Sequence, residues 1–180
     1  MHPHQSTQAR GAVAGHQEPW ALVHGCVDSR VSPELVFDQG IGDVFSTRTA
    51  GAVLDDTIVG SMEFATGAPY AVPLIVILGH TGCGAVSATV EALGKAPRDP
   101  RAPGEVADIV REIAPVARQV PRRGDQAAYV DEVVRANTVA VSRALIRRSK
   151  IIRDAVAAGR TRVVPAVYDL GSGRVEWGVA

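Results

Sequence analysis

Short apolar runs rich in β-branched residues punctuate this chain, each closed by Gly, Asp or a polar turn, and helix-friendly segments separate them. Residues 20–27 (WALVHGCV) and Leu74–Leu78 (LIVIL) are continuous apolar runs, which predicts strands buried on both faces. Asp43–Thr49 (DVFSTRT) alternates and predicts a half-buried strand, while Thr161–Leu170 and Arg174–Val179 flank a Gly171-Ser172-Gly173 turn as a final hairpin. Between the strands, Ser32-Pro33-Glu34 reads as an N-cap, a first-turn proline and an acid complementing the dipole, opening a helix to Gln39. A second helix covers about Asp55–Ala65, with Ile58, Met62 and Ala65 on one face, before Gly67, Pro69 and Tyr70 break it. Gly84–Leu93 predicts a third helix. Glu105–Val120 predicts another, kinked or split at Pro115, and Gln126–Ala158 holds one long helix or two abutting ones. Lys95–Gly104, with three prolines, is a loop. Strands alternating with helices predict an α/β fold: a mainly parallel central sheet flanked by helices, with an antiparallel C-terminal edge hairpin.

Residues 1–18 are polar and predict an extended arm or loop, and residues 19–180 a single domain. His2 and His4 at a terminus read as incidental rather than as a metal tract. The chain has 180 residues, enough for a real core, and its 19 basic residues balance 19 acidic ones. That balance gives no support for nucleic acid or an anionic membrane as partner. The arginines at 143, 147, 148 and 153 are interspersed with acids and read as a solvated or subunit-facing helix surface. The N-terminal residues lack an apolar core of the signal-peptide kind, and the longest apolar run is too short to span a bilayer. Two cysteines, both at strand ends, build no disulfide framework and suit a reducing cytoplasm.

Those two cysteines carry the chemistry. His80-Thr81-Gly82-Cys83 follows the central run, and Gly25-Cys26 ends the first one. Parallel strands bring their carboxyl-end turns together, so Cys26, His80 and Cys83 make a three-ligand zinc site with one open position. Asp28 and Arg30 follow Cys26 at alternating positions and can pair through a bidentate fork. A carboxylate held this way stays ionised and can accept the hydrogen of a zinc-bound water, which suits attack by zinc hydroxide on a small carbonyl-like electrophile. Other readings compete. A lone strand-end Cys is usually a buried hydrophobe. Gly82-Cys83-Gly84 could cradle phosphate but lacks the Lys-Ser/Thr of a P-loop. Cys26 could be a nucleophile activated by Arg30, though Cys-x-Asp-x-Arg is too short to wrap a phosphate.

Cys26-Val27-Asp28-Ser29-Arg30 with Pro33-Glu34, Phe37–Asp43, Arg48-Thr49-Ala50-Gly51 and Gly79–Val86 together resemble a β-class carbonic anhydrase. The resemblance runs from about Gln17 to Leu93, and resumes near Arg148-Ser149 and Tyr168-Asp169. It implies zinc on Cys26, His80 and Cys83, an Asp28–Arg30 dyad with Asp28 as fourth ligand in a closed state, and reversible hydration of CO2 to bicarbonate and a proton. It further implies substrate contacts from Gln17 (reaching the neighbouring subunit's site), the Gly84 N–H and the apolar wall Phe45, in a homodimer or dimer of dimers. The family's N-terminal helical segment is absent from the expected place. Val23 stands where the bicarbonate-regulated branch has Trp, which argues against that allosteric pocket. His24 replaces an apolar residue and reads as a hydrogen-bonded core or interface histidine. On the same fold, the rivals are a non-catalytic zinc-stabilised assembly protein and a hydrolase of CS2 or COS.

Overall fold

A computed structural model describes residues 5–180, so His2 and His4 lie outside the described residues. Five strands form one sheet in the order β2-β1-β3-β4-β5. They are β1 (Ala21–Gly25), β2 (Val44–Arg48), β3 (Leu74–His80), β4 (Arg162–Tyr168) and β5 (Val175–Trp177). The first four are mutually parallel, and β5 returns antiparallel on β4. The α/β class, the parallel centre and the C-terminal edge hairpin are as the hydrophobic pattern predicts.

Apart from His24 and His80, the strands β1 and β3 carry no polar side chain, because both of their faces are covered. Leu22, Ile75 and Ile77 join Val59, Met62, Leu145 and Ile152 on one side, while Val23, Val76, Leu78 and Ala166 pack with Val31 on the other. Alternate residues thus serve alternate layers. The covering helices are α3 (Asp56–Thr66), α4 (Gly84–Lys95), α5 (Val106–Ala117), α6 (Gln126–Arg148) and α7 (Lys150–Ala157). Thr138 explains one glycine: a Cβ at Gly79 would come 2.2 Å from its Oγ1, so α6 could not approach β3 as closely.

Several boundaries differ from the sequence-based expectations. The N-terminal arm contains a helix, α1 (Thr7–Ala12), because the Ser6 hydroxyl accepts from the Ala9 N–H and starts a turn. The segment after Ser32 is a single turn, α2 (Pro33–Val36). Ser32 gives its hydroxyl to Glu34 instead of capping the helix. Pro115 neither splits nor ends α5 but sits in its last turn, where its missing N–H costs the helix a single intrahelical bond and only Val116 and Ala117 follow. The long C-terminal helical stretch is two abutting helices that part at Ser149, whose extended backbone closes α6 while its hydroxyl caps α7. No described helix is long and apolar enough to cross a membrane.

Candidate metal centre

From β1 the chain steps to β2 on one side of the sheet and then to β3 on the other. The crevice between β1 and β3 is therefore a topological switch point, the place where open α/β sheets bind ligands. Cys26 directly follows β1, His80 is the last residue of β3, and Cys83 stands one residue before α4. Their ligand atoms lie within 4.8 Å of one another, and all three residues are buried.

The local geometry suits one divalent cation. The two sulfurs are 4.0 Å apart and both cysteines are free. Two thiolates about 2.3 Å from a tetrahedral zinc ion stand roughly 3.8 Å apart. The His80 Nδ1 faces the Thr81 carbonyl at 3.0 Å, which leaves Nε2 as the ligating nitrogen, and Nε2 is buried without a hydrogen-bond partner among the described residues. An orphaned buried nitrogen beside two thiols fits a metal site, because burial without a partner is otherwise costly. Electrostatics agree. The hydrogen bond with Cys83 draws the Cys26 thiol down to about 4 against the opposing effect of burial, and Cys83 is correspondingly raised. Burial pulls His80 down, but the neighbouring Cys26 sulfur and Asp28 carry the net shift upward. Cys26 and His80 are thus drawn toward opposite charges by their proximity to each other in a buried pocket.

Asp28 and Arg30 form the anticipated fork. Arg30 Nε donates to Asp28 Oδ1 at 2.9 Å and Nη2 to Oδ2 at 2.7 Å, and the Arg30 backbone N–H adds a third bond to Oδ1. The Arg30 side chain holds the Asp28 carboxyl well below the usual carboxylate range. Asp28 Oδ2 lies 3.8 Å from His80 Nε2, so the carboxylate borders the cluster, and its side chain is 15% exposed. Gly84, the first residue of α4, is exposed directly beside Cys83.

Gln17 and Phe45 are placed apart from these five residues. The Gln17 amide donates to the Tyr70 hydroxyl at 3.5 Å, in a surface hollow shared with His16, Glu18 and Ile41. Phe45 meets Tyr70 edge-on, with ring centroids 5.0 Å apart. Two further residues have contacts at the site that the sequence did not indicate. Arg48 donates to the Cys26 and Asp28 carbonyls at 2.7 and 2.6 Å, and Asp131 accepts from the Gly82 N–H at 2.8 Å. Arg48 lies within a quoted motif, but only the β1–β2 register shows what it reaches. For Asp131, on a distant helix, no sequence signal exists. His24 is a buried core histidine between Thr47 and Ala52, and burial lowers its pKa.

Comparison with known proteins agrees with this geometry. A family model described as carbonic anhydrase matches residues 21–175. Carbonic anhydrase 2 of Mycobacterium tuberculosis is 41% identical over 175 residues, covering 97% of this chain and 81% of the relative. The carbonic anhydrase of Mycolicibacterium smegmatis is 42% identical over 178 residues, covering 98% and 82%. Among solved structures, a Coccomyxa β-carbonic anhydrase in complex with acetazolamide superposes with TM-score 0.76 at 28% identity, covering 93% of this chain and 75% of that one. A tetrameric β-carbonic anhydrase of Sordaria macrospora superposes with TM-score 0.80 at 25% identity, covering 93% and 84%. On a family match over residues 21–175 and relatives aligned along nearly all of this chain, it belongs to the β-carbonic anhydrases, a family of lyases.

Proposed function

We propose that this chain hydrates CO2 reversibly to bicarbonate and a proton at a zinc ion held by Cys26, His80 and Cys83. The observation that carries the reading is the convergence of two free thiols and a partnerless imidazole nitrogen beside an arginine-bound carboxylate. When bound, the metal supplies Lewis acidity that makes a water nucleophilic near neutral pH. Asp28, ionised and unable to donate, accepts a hydrogen from that water and orients it toward substrate. Arg30 keeps Asp28 in place and away from the metal's open position. Released from Arg30, the Asp28 carboxylate, which borders His80 Nε2 at 3.8 Å, would be available to hold the metal together with Cys26, His80 and Cys83. The N–H of exposed Gly84, beside Cys83, would donate to a substrate oxygen, and Phe45, which packs on Tyr70 away from the cluster of its own chain, would serve as an apolar wall to a neighbouring copy's site. The buried free thiols favour a reducing compartment such as the cytoplasm.

Gln17 reaches substrate from a second copy in this reading, since within its own chain it turns toward Tyr70. This role requires a homodimer or a dimer of dimers. The edge strand β2 lies beside exposed Trp20, Ile41 and Phe64, a patch that a second copy would cover.

Stopped-flow CO2 hydration alongside zinc quantification tests the proposal. The expected result is one zinc per chain and a rate that disappears on chelation and returns with zinc. A zinc-loaded protein with no hydration activity would favour the assembly-protein or CS2/COS-hydrolase reading.

A further inference from the structure

Two buried polar side chains outside the cluster, His24 and Asn137, end on the same three-residue turn. Residues Ala50–Ala52 form a 3-10 turn between β2 and α3, and the Gly51 N–H donates to Cys26 Sγ at 3.4 Å. Gly51 has φ +67° and Ala52 φ +55°, consecutive left-handed conformations that non-glycine residues rarely adopt unless their surroundings enforce them. The enforcement is visible. Asn137 Nδ2, on α6, donates to the Gly51 carbonyl at 3.0 Å. His24 Nε2, on β1, meets the Ala52 carbonyl at 3.0 Å. A carbonyl can only accept, so Nε2 carries the proton and Nδ1 faces the Thr47 hydroxyl at 3.0 Å as acceptor. From the third side, a Cβ at Gly51 would lie 2.7 Å from Ile113 Cδ1 and 3.2 Å from Ala85 Cβ, so the turn is pressed against α5 and α4. The Gly51 and Ala52 carbonyls are thus held by two different elements, which fixes the backbone torsions of Gly51 and with them the direction of its own N–H on the other side of its Cα.

We propose that His24 and Asn137 are positioning residues that aim the Gly51 N–H at the Cys26 sulfur and thereby set how strongly this thiolate binds the metal. An amide hydrogen bond draws electron density from a thiolate and stabilises its ionised form, and outer-shell partners of this kind orient and tune the ligand. His24 and Asn137 are buried, and among the described residues neither hydrogen-bonds Cys26, His80 or Cys83; they act through the turn. The inference rests on the metal reading of Cys26.

The test uses the intact chain loaded with cadmium-113. Scalar coupling between the metal and the Gly51 amide proton, transmitted through the N–H···S bond, is the expected result in the unmodified protein. Its absence from cadmium-loaded protein overturns the inference alone, whereas a chain that binds no metal overturns the metal reading with it. Cobalt-loaded variants supply the second readout. His24→Leu and Asn137→Leu are expected to move the thiolate-to-cobalt charge-transfer band to longer wavelength and to weaken zinc binding roughly 10–100-fold. His24→Gln, which keeps a donor for the Ala52 carbonyl, is expected to restore both. Folded leucine variants with the parent band and affinity, or a glutamine variant as impaired as the leucine one, overturn the proposal.

Discussion

At the scale of the residue, the balance between Asp28 and Arg30 governs the site. Both carboxylate oxygens lie in the guanidinium fork, so removing either partner changes what faces the cluster. Asp28→Ala is expected to lower CO2 hydration by about 100-fold with zinc content unchanged, the scale of a lost proton-handling group. Arg30→Ala frees the carboxylate to turn toward the metal, so cobalt spectra of that variant should show the closed ligand set at a pH where the parent remains open. Two thiolates donate more charge than imidazoles, which makes the bound water less acidic than the value of about 7 found in an all-histidine site. Activity should therefore rise on the alkaline side of neutrality, and a rate profile flat from mildly acidic to alkaline pH would contradict this. The residues of the cluster and of the Asp28–Arg30 fork were legible in the sequence because their spacing is dense. Arg48 and Asp131 were not legible in these roles, because each acts on a backbone group brought near by the fold.

At the scale of the element, caps decide where helices begin and how stability responds to acid. Asp55 caps α3, accepting from the Thr57 hydroxyl at 2.6 Å and the Ile58 N–H at 2.8 Å, and these bonds lower its pKa. The unfolded carboxyl titrates near roughly 3.9, so the cap stabilises the fold fully above that pH and loses its contribution as pH falls through the lower folded value. An Asp55→Asn variant should show a shallower loss of stability below about pH 4. Ser149 is fully buried; its Oγ accepts from the Ile152 N–H at 3.0 Å and donates to Glu63 Oε1 at 2.6 Å. Ser149→Ala should cost about 1–2 kcal/mol in urea unfolding, since a cap is lost and a carboxylate loses its partner. Strand periodicity located every strand of the sheet. Helix ends were harder to read, because Ser32 and Ser149 offer the same signal and only the second spends its hydroxyl on a backbone donor.

At the scale of the whole molecule, the sheet leaves one edge apolar. Phe64 is 63% exposed beside Tyr70 and Phe45, with ring centroids 5.3 and 5.0 Å apart along that series. If this face joins two copies, Phe64→Lys should shift the sedimentation profile toward the monomer. Hydration should fall with it, because Gln17 would lose the neighbouring site. A monomeric variant at full activity would separate Gln17 from substrate binding.

Taken alone, the sequence determined the class of fold and named the three side chains that converge at its strand ends. Buried parallel strands must be continuously apolar, and a zinc-type site needs soft donors at strand ends, so both leave marks in local order. The tertiary structure decided what passes between distant segments: the strand order that opens the crevice between β1 and β3, and the side chains of α6 that reach the Gly51 and Gly82 backbones. Such contacts join residues dozens of positions apart through single hydrogen bonds. No periodicity or spacing encodes them, because their partners are peptide groups that every residue carries.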